Sequence, residues 1–202
     1  MKVYQLNHSP DLNLDDGLPL ADFSFPWLDR PCPRTVFRAV WNDEAVRFHF
    51  DVDDDDLVLH ESDDPDDAVL GSDRVELFFA SDAKLEKPYY GAEMDPRGGV
   101  YDYRAEYYRR VDGSWKFPGL KLEGDVRADG YSVTGRFEIE TLRALDVLVD
   151  GEMIAGAYRA EFSHGEDGVV EDWISWIDPG TEKPDFHVPS SFGRFVLAGG
   201  KA

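Results

Sequence analysis

Two glutamates stand where a β-strand could hold them for chemistry. Glu76 lies inside Arg74-Val75-Glu76-Leu77-Phe78-Phe79, and Glu93 closes Tyr89-Tyr90-Gly91-Ala92-Glu93-Met94. Both runs alternate with period two, and the pattern predicts strands whose odd and even residues face opposite ways. If the two strands are neighbours, both carboxylates lie on one sheet face. Such a pair could be the acid and base of a glycosidase. It could instead accept hydrogen bonds from ligand hydroxyls, with Arg159 and Arg104 as counter-charges. A third reading is an ion-pair network on a wet face. Hydrolysis would also need one carboxyl kept protonated by burial.

Other residues could join such a site. Trp173 and Trp176 are three apart and face opposite sides of a regular strand, so at most one enters the core. Tyr90 and the tyrosines between 101 and 108 offer further rings. His187 follows Phe186 and suits a site lip or a metal; alternatively, Phe186 and Pro189 only pin a closing loop. Ten of the seventeen residues from Asp51 to Asp67 are acidic. A charge run of this kind is usually solvated. The alternative is calcium, which needs converging oxygens, with Asp53, Asp55 and Asp56 as first ligands. The run lacks the glycine and terminal glutamate of an EF-hand loop.

The elements that must position these residues read as strands. Residues 35–41 and 45–53 form a hairpin signature around Asn42-Asp43-Glu44. Further strands are expected near 74–79, 89–94, 100–111, 120–126, 131–139, 154–162, 169–177 and 192–197. Residues 2–6 read as a short edge strand, and Phe23, Phe25 and Trp27 as a plug for one end of the core. Only residues 140–145 suggest a helix. No repeat or linker interrupts the chain, which reads as one domain over residues 1–202. About ten evenly spaced strands with one short helix predict an all-β fold, an antiparallel two-sheet β-sandwich of jelly-roll or immunoglobulin-like form.

Composition narrows the partners. The chain of 202 residues carries 42 acidic and 21 basic residues, for a net charge of −21. No basic footprint exists to neutralise phosphates, so neither nucleic acid nor an anionic membrane is an expected partner. The single cysteine, Cys32, allows no internal disulfide. No apolar leader opens the chain, so a cytoplasmic location is the default expectation, and a secreted or periplasmic one if a signal peptide has been removed.

The order of the pieces carries a resemblance. SDRVELFF, YYGAEMDPRG, GYSVTGRFEI, AYRAEF, DWISW and DFHVPSSFGRFVL follow one another. Together, over residues 34–197, they resemble the family 9 carbohydrate-binding modules and their wider DOMON-like relatives. The resemblance implies a two-sheet sandwich whose curved face binds a mono- or oligosaccharide, often with structural calcium and no required cofactor. It implies that Glu76 and Glu93 face the sugar, and that Phe186 stands at one stacking tryptophan position. Leu70 stands at the other, a departure from the family pattern that Trp173, Trp176, Tyr90 or the Tyr101–Tyr108 cluster could offset. Work alongside a glycan-degrading enzyme system is a further implication. Some DOMON-like domains hold haem, for which Met94 and His49 would be the ligands to consider. A third class is an interaction module with no small ligand.

Overall fold

The alternating runs do become strands. The computed structural model describes residues 1–199. Thirteen strands form among these: β1 (Val3–His8), β2 (Thr35–Trp41), β3 (Ala45–Asp53), β4 (Arg74–Ala80), β5 (Tyr89–Met94), β6 (Val100–Glu106), β7 (Arg110–Asp112), β8 (Lys121–Arg127), β9 (Gly130–Glu138), β10 (Leu148–Val149), β11 (Glu152–Gly165), β12 (Gly168–Ser175) and β13 (Gly193–Ala198). Two short helices interrupt them, α1 (Pro65–Leu70) and α2 (Ile139–Ala144). Among the described residues, no helix is long and apolar enough to cross a membrane.

The strands do not divide into two antiparallel sheets. They form one mixed sheet, in the order β7-β6-β5-β4-β11-β13-β1-β2-β3-β9-β8, with β10 and β12 paired to β11 off this path. The reason is β1. Expected at an edge, it lies in the middle, parallel to β13 on one side and to β2 on the other. Its hydrogen bonds join what would otherwise be two layers. The sheet curls until its halves face each other: Phe79 of β4 meets Phe137 of β9 at 5.1 Å between ring centroids.

The helix in the acidic stretch was not expected. Asp64 caps α1 by accepting from the Asp66 amide, Pro65 opens its first turn, and Asp66 and Asp67 sit there too. These are ordinary helix-start signals hidden inside a charge run.

Every residue of β4 and of β5 is buried. Val75, Leu77 and Phe79 enter the main core between the two halves. Phe78 on the other face joins a second apolar layer with Tyr89, Tyr103, Tyr158, Phe186 and Phe192. The segment 178–192 and the N-terminal cover close over that face. They are tied by Trp27 Nε1, which donates to the Thr181 carbonyl at 2.8 Å. Phe23 and Phe25 plug the main core, whereas Trp27 packs at the edge of the second layer.

Two glycines seat this second layer. A Cβ at Gly91 would come within 2.3 Å of the Tyr103 ring, and one at Gly156 within 1.9 Å of the Tyr158 hydroxyl. Both aromatic rings lie over strand backbone where no side chain can stand. Gly91→Ala must therefore push the Tyr103 ring away. It should cost about 1–3 kcal/mol, read as a lower denaturation midpoint at an unchanged m-value; an unaltered midpoint would show that the seat is loose.

Candidate functional site

Cross-strand register brings the two glutamates together. β4 and β5 pair antiparallel with Glu76 directly opposite Glu93, and β5 places Glu93 opposite Tyr101 on β6. Arg74 shares the parity of Glu76 and so reaches the same face. Its Nε donates to Glu93 Oε2 at 2.7 Å and lies 3.2 Å from Glu76 Oε1. Nη1 donates to the Leu70 carbonyl at 2.9 Å, which ties the end of α1 to the same cation. The guanidinium also lies 5.4 Å from the Trp173 ring centre and 5.5 Å from that of Phe162, within cation–π range.

Above this cluster opens a cavity of about 340 Å³. That is the small end of the ~300–1,000 Å³ range of ligand pockets. Glu76, Glu93 and Arg74 lie along it with Trp173, and Leu70, Arg109, Asp185, Phe186 and His187 complete the wall with Pro184. Phe186 is 5% exposed. It stacks on Tyr158 with centroids 4.2 Å apart and an interplanar angle of 16°, so it offers the cavity little of its face. Trp173 is half-buried and is the larger ring on the wall.

Burial sets the charge states. Desolvation pushes the Glu76 carboxyl up to about 8, and the neighbouring Glu93 charge adds to this, while Arg74 opposes it. Glu76 is therefore largely protonated at neutral pH and offers an O–H donor. His187 is driven down to about 4, chiefly by burial and then by the Arg109 charge, so it is neutral. Its Nδ1 is engaged with the Tyr89 hydroxyl at 2.8 Å. Among the described residues Nε2 has no partner. The Tyr103 phenol is raised well above its ordinary value by burial, with Glu93 and Glu76 next in effect.

Not every residue singled out from the sequence reaches the cavity. Glu76, Glu93, Trp173, Phe186 and His187 do; Arg159, Trp176 and Tyr90 do not. Tyr90 has the opposite parity to Glu93 and packs in the main core against Trp115 and Phe117. Trp176 is 1% exposed, beside Phe195. Arg159 faces away from Glu76 and is fully buried with Asp54 and Glu161. Arg104 pairs with Glu106 instead. Met94 is in the core, while His49 bonds Thr134 on the outer face of β3. They point to opposite sides of the sheet and share no haem site. Arg74 and Tyr89 were legible from parity alone. Arg109 and Asp185 come from turns that carry no periodic signal.

The proposed calcium ligands also disperse. Asp53 is taken by Arg34 and Asp56 by His164, and Asp55 is exposed. The acidic side chains that converge are Asp54, Asp73 and Glu161, with oxygens within 4.8 Å of one another. Both Asp73 oxygens already accept amide hydrogen bonds, from Val58 at 2.6 Å and Phe162 at 2.7 Å. Arg159 Nη2 donates to Asp54 at 3.1 Å and pairs with Glu161. A guanidinium thus stands where calcium would need oxygens, and the set does not fit that ion.

Comparisons with known proteins place the chain in a family and support its fold. The model of a family described as Carbohydrate family 9 binding domain-like matches residues 27–200, and the chain belongs to that family. No match is found among curated proteins. Among solved structures, a proposed carbohydrate-binding protein from Bacteroides uniformis is similar, at TM-score 0.73 and 18% identity over 98% of this chain and 99% of the other. A family 9 carbohydrate-binding module from Caldicellulosiruptor kristjanssonii in complex with glucose is similar at TM-score 0.65 and 16% identity, over 99% and 97%. The module from the same organism in complex with cellotriose gives 0.67 and 16%, over 99% and 95%.

The raised carboxyls have a consequence for stability. Burial lifts Asp73 to about 7 and Glu161 to about 8, as it does Glu76. Each binds a proton more readily folded than unfolded, so its contribution is complete below the unfolded value and lost as pH rises through the folded one. The melting temperature should therefore fall between about pH 6.5 and pH 8, above the range in which the lowered His187 works in the opposite direction. Each such group can contribute at most about 1.4 kcal/mol per pH unit over its own window. Glu76→Gln should flatten part of the slope. A melting temperature that is level or rises across this range would contradict the assigned protonation.

Proposed function

We propose that this chain binds the end of a neutral mono- or oligosaccharide in the cavity above Glu76 and Glu93, without reacting with it. The observation that carries this reading is the convergence there of Glu76, Glu93 and Arg74 beneath the Trp173 ring. Sugars present hydroxyls at their edges and C–H groups on their faces. Carboxyl and imidazole groups suit the hydroxyls, and an aromatic ring suits the faces. A protonated Glu76, the Glu93 oxygens and His187 Nε2 together supply both donors and acceptors. The similar modules in complex with glucose and with cellotriose support these sugars as first probes. The order of motifs supports the wider DOMON-like kinship, and a glycan-degrading enzyme system is the partner class this reading implies.

Binding in this reading needs no metal, because Arg159 supplies the buried positive charge beside Asp54 and Glu161. Titration calorimetry with glucose and cello-oligosaccharides should show binding that survives a chelator. Trp173→Ala should weaken it about tenfold, measured well below a melting temperature that also falls, because the ring packs on Phe162, Phe186 and Arg74. Absence of binding across a broad glycan panel would end this reading.

One observation favours a second reading. Glu76 is kept protonated beside a second carboxylate, the pairing a glycosidase uses. Against it, Arg74 Nε lies between the two and hydrogen-bonds Glu93. Aryl glycosides separate the two readings: the binding reading expects no turnover, whereas turnover abolished by Glu93→Gln would establish hydrolysis.

A further inference from the structure

Of 13 Phe, 9 Tyr and 5 Trp, only Tyr107 and Tyr108 stay exposed among the described residues, at 47% and 49%. They are adjacent in the turn between β6 and β7. Their centroids are 5.4 Å apart and their planes cross at 71°. Every other aromatic ring has found at least a half-buried position. A surface pair of large rings calls for an occupant, and its place indicates which.

Tyr108 stands beside the cavity wall, and Tyr107 beside Tyr108. Tyr108 Oη donates to Asp185 Oδ2 at 2.5 Å, and Asp185 is part of the cavity wall. The next residue, Arg109, reaches the wall itself. Its Nε lies 3.8 Å from Asp185 Oδ1, and its guanidinium 6.0 Å from the Tyr108 ring centre. Two segments far apart in sequence, 107–109 and 184–187, are thus pinned together at the rim. Neither tyrosine lines the cavity; Tyr108 meets its wall through Asp185, and Tyr107 lies next to Tyr108.

We infer that Tyr107 and Tyr108 form an outer sugar subsite, which holds the second unit of an oligosaccharide whose terminal unit fills the cavity. This rests on the reading of the cavity given above and extends it. The cavity is floored by the buried face of β4 and β5, so a chain enters it by an end and must leave past the rim. A sugar ring leaving on the side of Asp185 and Arg109 would pass the tyrosine pair, with the Arg109 donors beside it. Tyrosine suits the task, because it presents wide apolar area with little rotamer freedom to lose.

Calorimetry on the intact protein tests this, with glucose and cellotriose as probes. Wild type should bind cellotriose about tenfold more tightly than glucose. Tyr107→Ala should collapse that ratio toward one. Tyr108→Phe keeps the ring, removes only the bond to Asp185, and should preserve the ratio. Equal wild-type affinities for the two probes would overturn the subsite while leaving the cavity reading intact, and this comparison needs no variant to fold. A Tyr107→Ala protein that weakens both probes equally would also overturn it. If neither probe binds wild type, the cavity reading itself fails, and the subsite with it.

Discussion

A single guanidinium organises this site. Two carboxyl groups directly opposite each other on neighbouring strands and out of water do not both stay charged, and here Glu76 keeps its proton. Arg74 makes the arrangement tenable: it hydrogen-bonds Glu93, lies beside Glu76, and is 5% exposed. A buried cation of this kind is weak evidence for stability, because its desolvation cost rivals its attractions. Its value here is geometric. It fixes the two carboxyl groups, holds the end of α1 through the Leu70 carbonyl, and lies against the Trp173 ring. The cavity floor, one rim and one wall all refer to one side chain.

The second apolar layer follows from that constraint. Ion pairs of this kind are strengthened by exclusion of water, and β4 and β5 alone could exclude it from one side only. The segment 178–192 supplies the other side, with Phe186 stacked on Tyr158 and Phe192 behind it. Gly91 and Gly156 are the local price of that cover, since the rings of Tyr103 and Tyr158 need the space a Cβ would take. Glu76 stays protonated for the same reason that the cavity stays small.

Much of this was legible in residue order, and the failures have physical reasons. β2, β3 and β5 fall at the expected residues, because alternation is strong where one face is core and the turns are sharp. The joining role of β1 was invisible: a six-residue strand carries no sign of its partners, and both of its neighbours are parallel and distant in sequence. α1 was masked because a charge run overrode the Asp64-Pro65 start signal. Within the site, parity sufficed for Glu76 and Glu93. It failed for Arg159, because Arg159 pairs with Val75 rather than with Glu76, and so points the other way. Tyr90 fails for a simpler reason: within its own strand it has the opposite parity to Glu93 and faces the main core. Parity orders residues within one strand, but whether residues of two strands share a face is known only once their register is.

The central strand has a kinetic meaning as well. β1 pairs with β13 from Val3↔Arg194 to Asn7↔Ala198. Its partner is therefore almost the whole chain away, and closing so long a loop costs entropy before any contact repays it. Until that pairing forms, β2 and β13 each lack a hydrogen-bonded neighbour and the two halves of the sheet are unjoined. Topologies dominated by such distant pairings fold slowly and expose strand edges while they do so. The strong surplus of acidic side chains on this protein would then protect its folding intermediates, keeping half-closed sheets from finding one another through mutual repulsion.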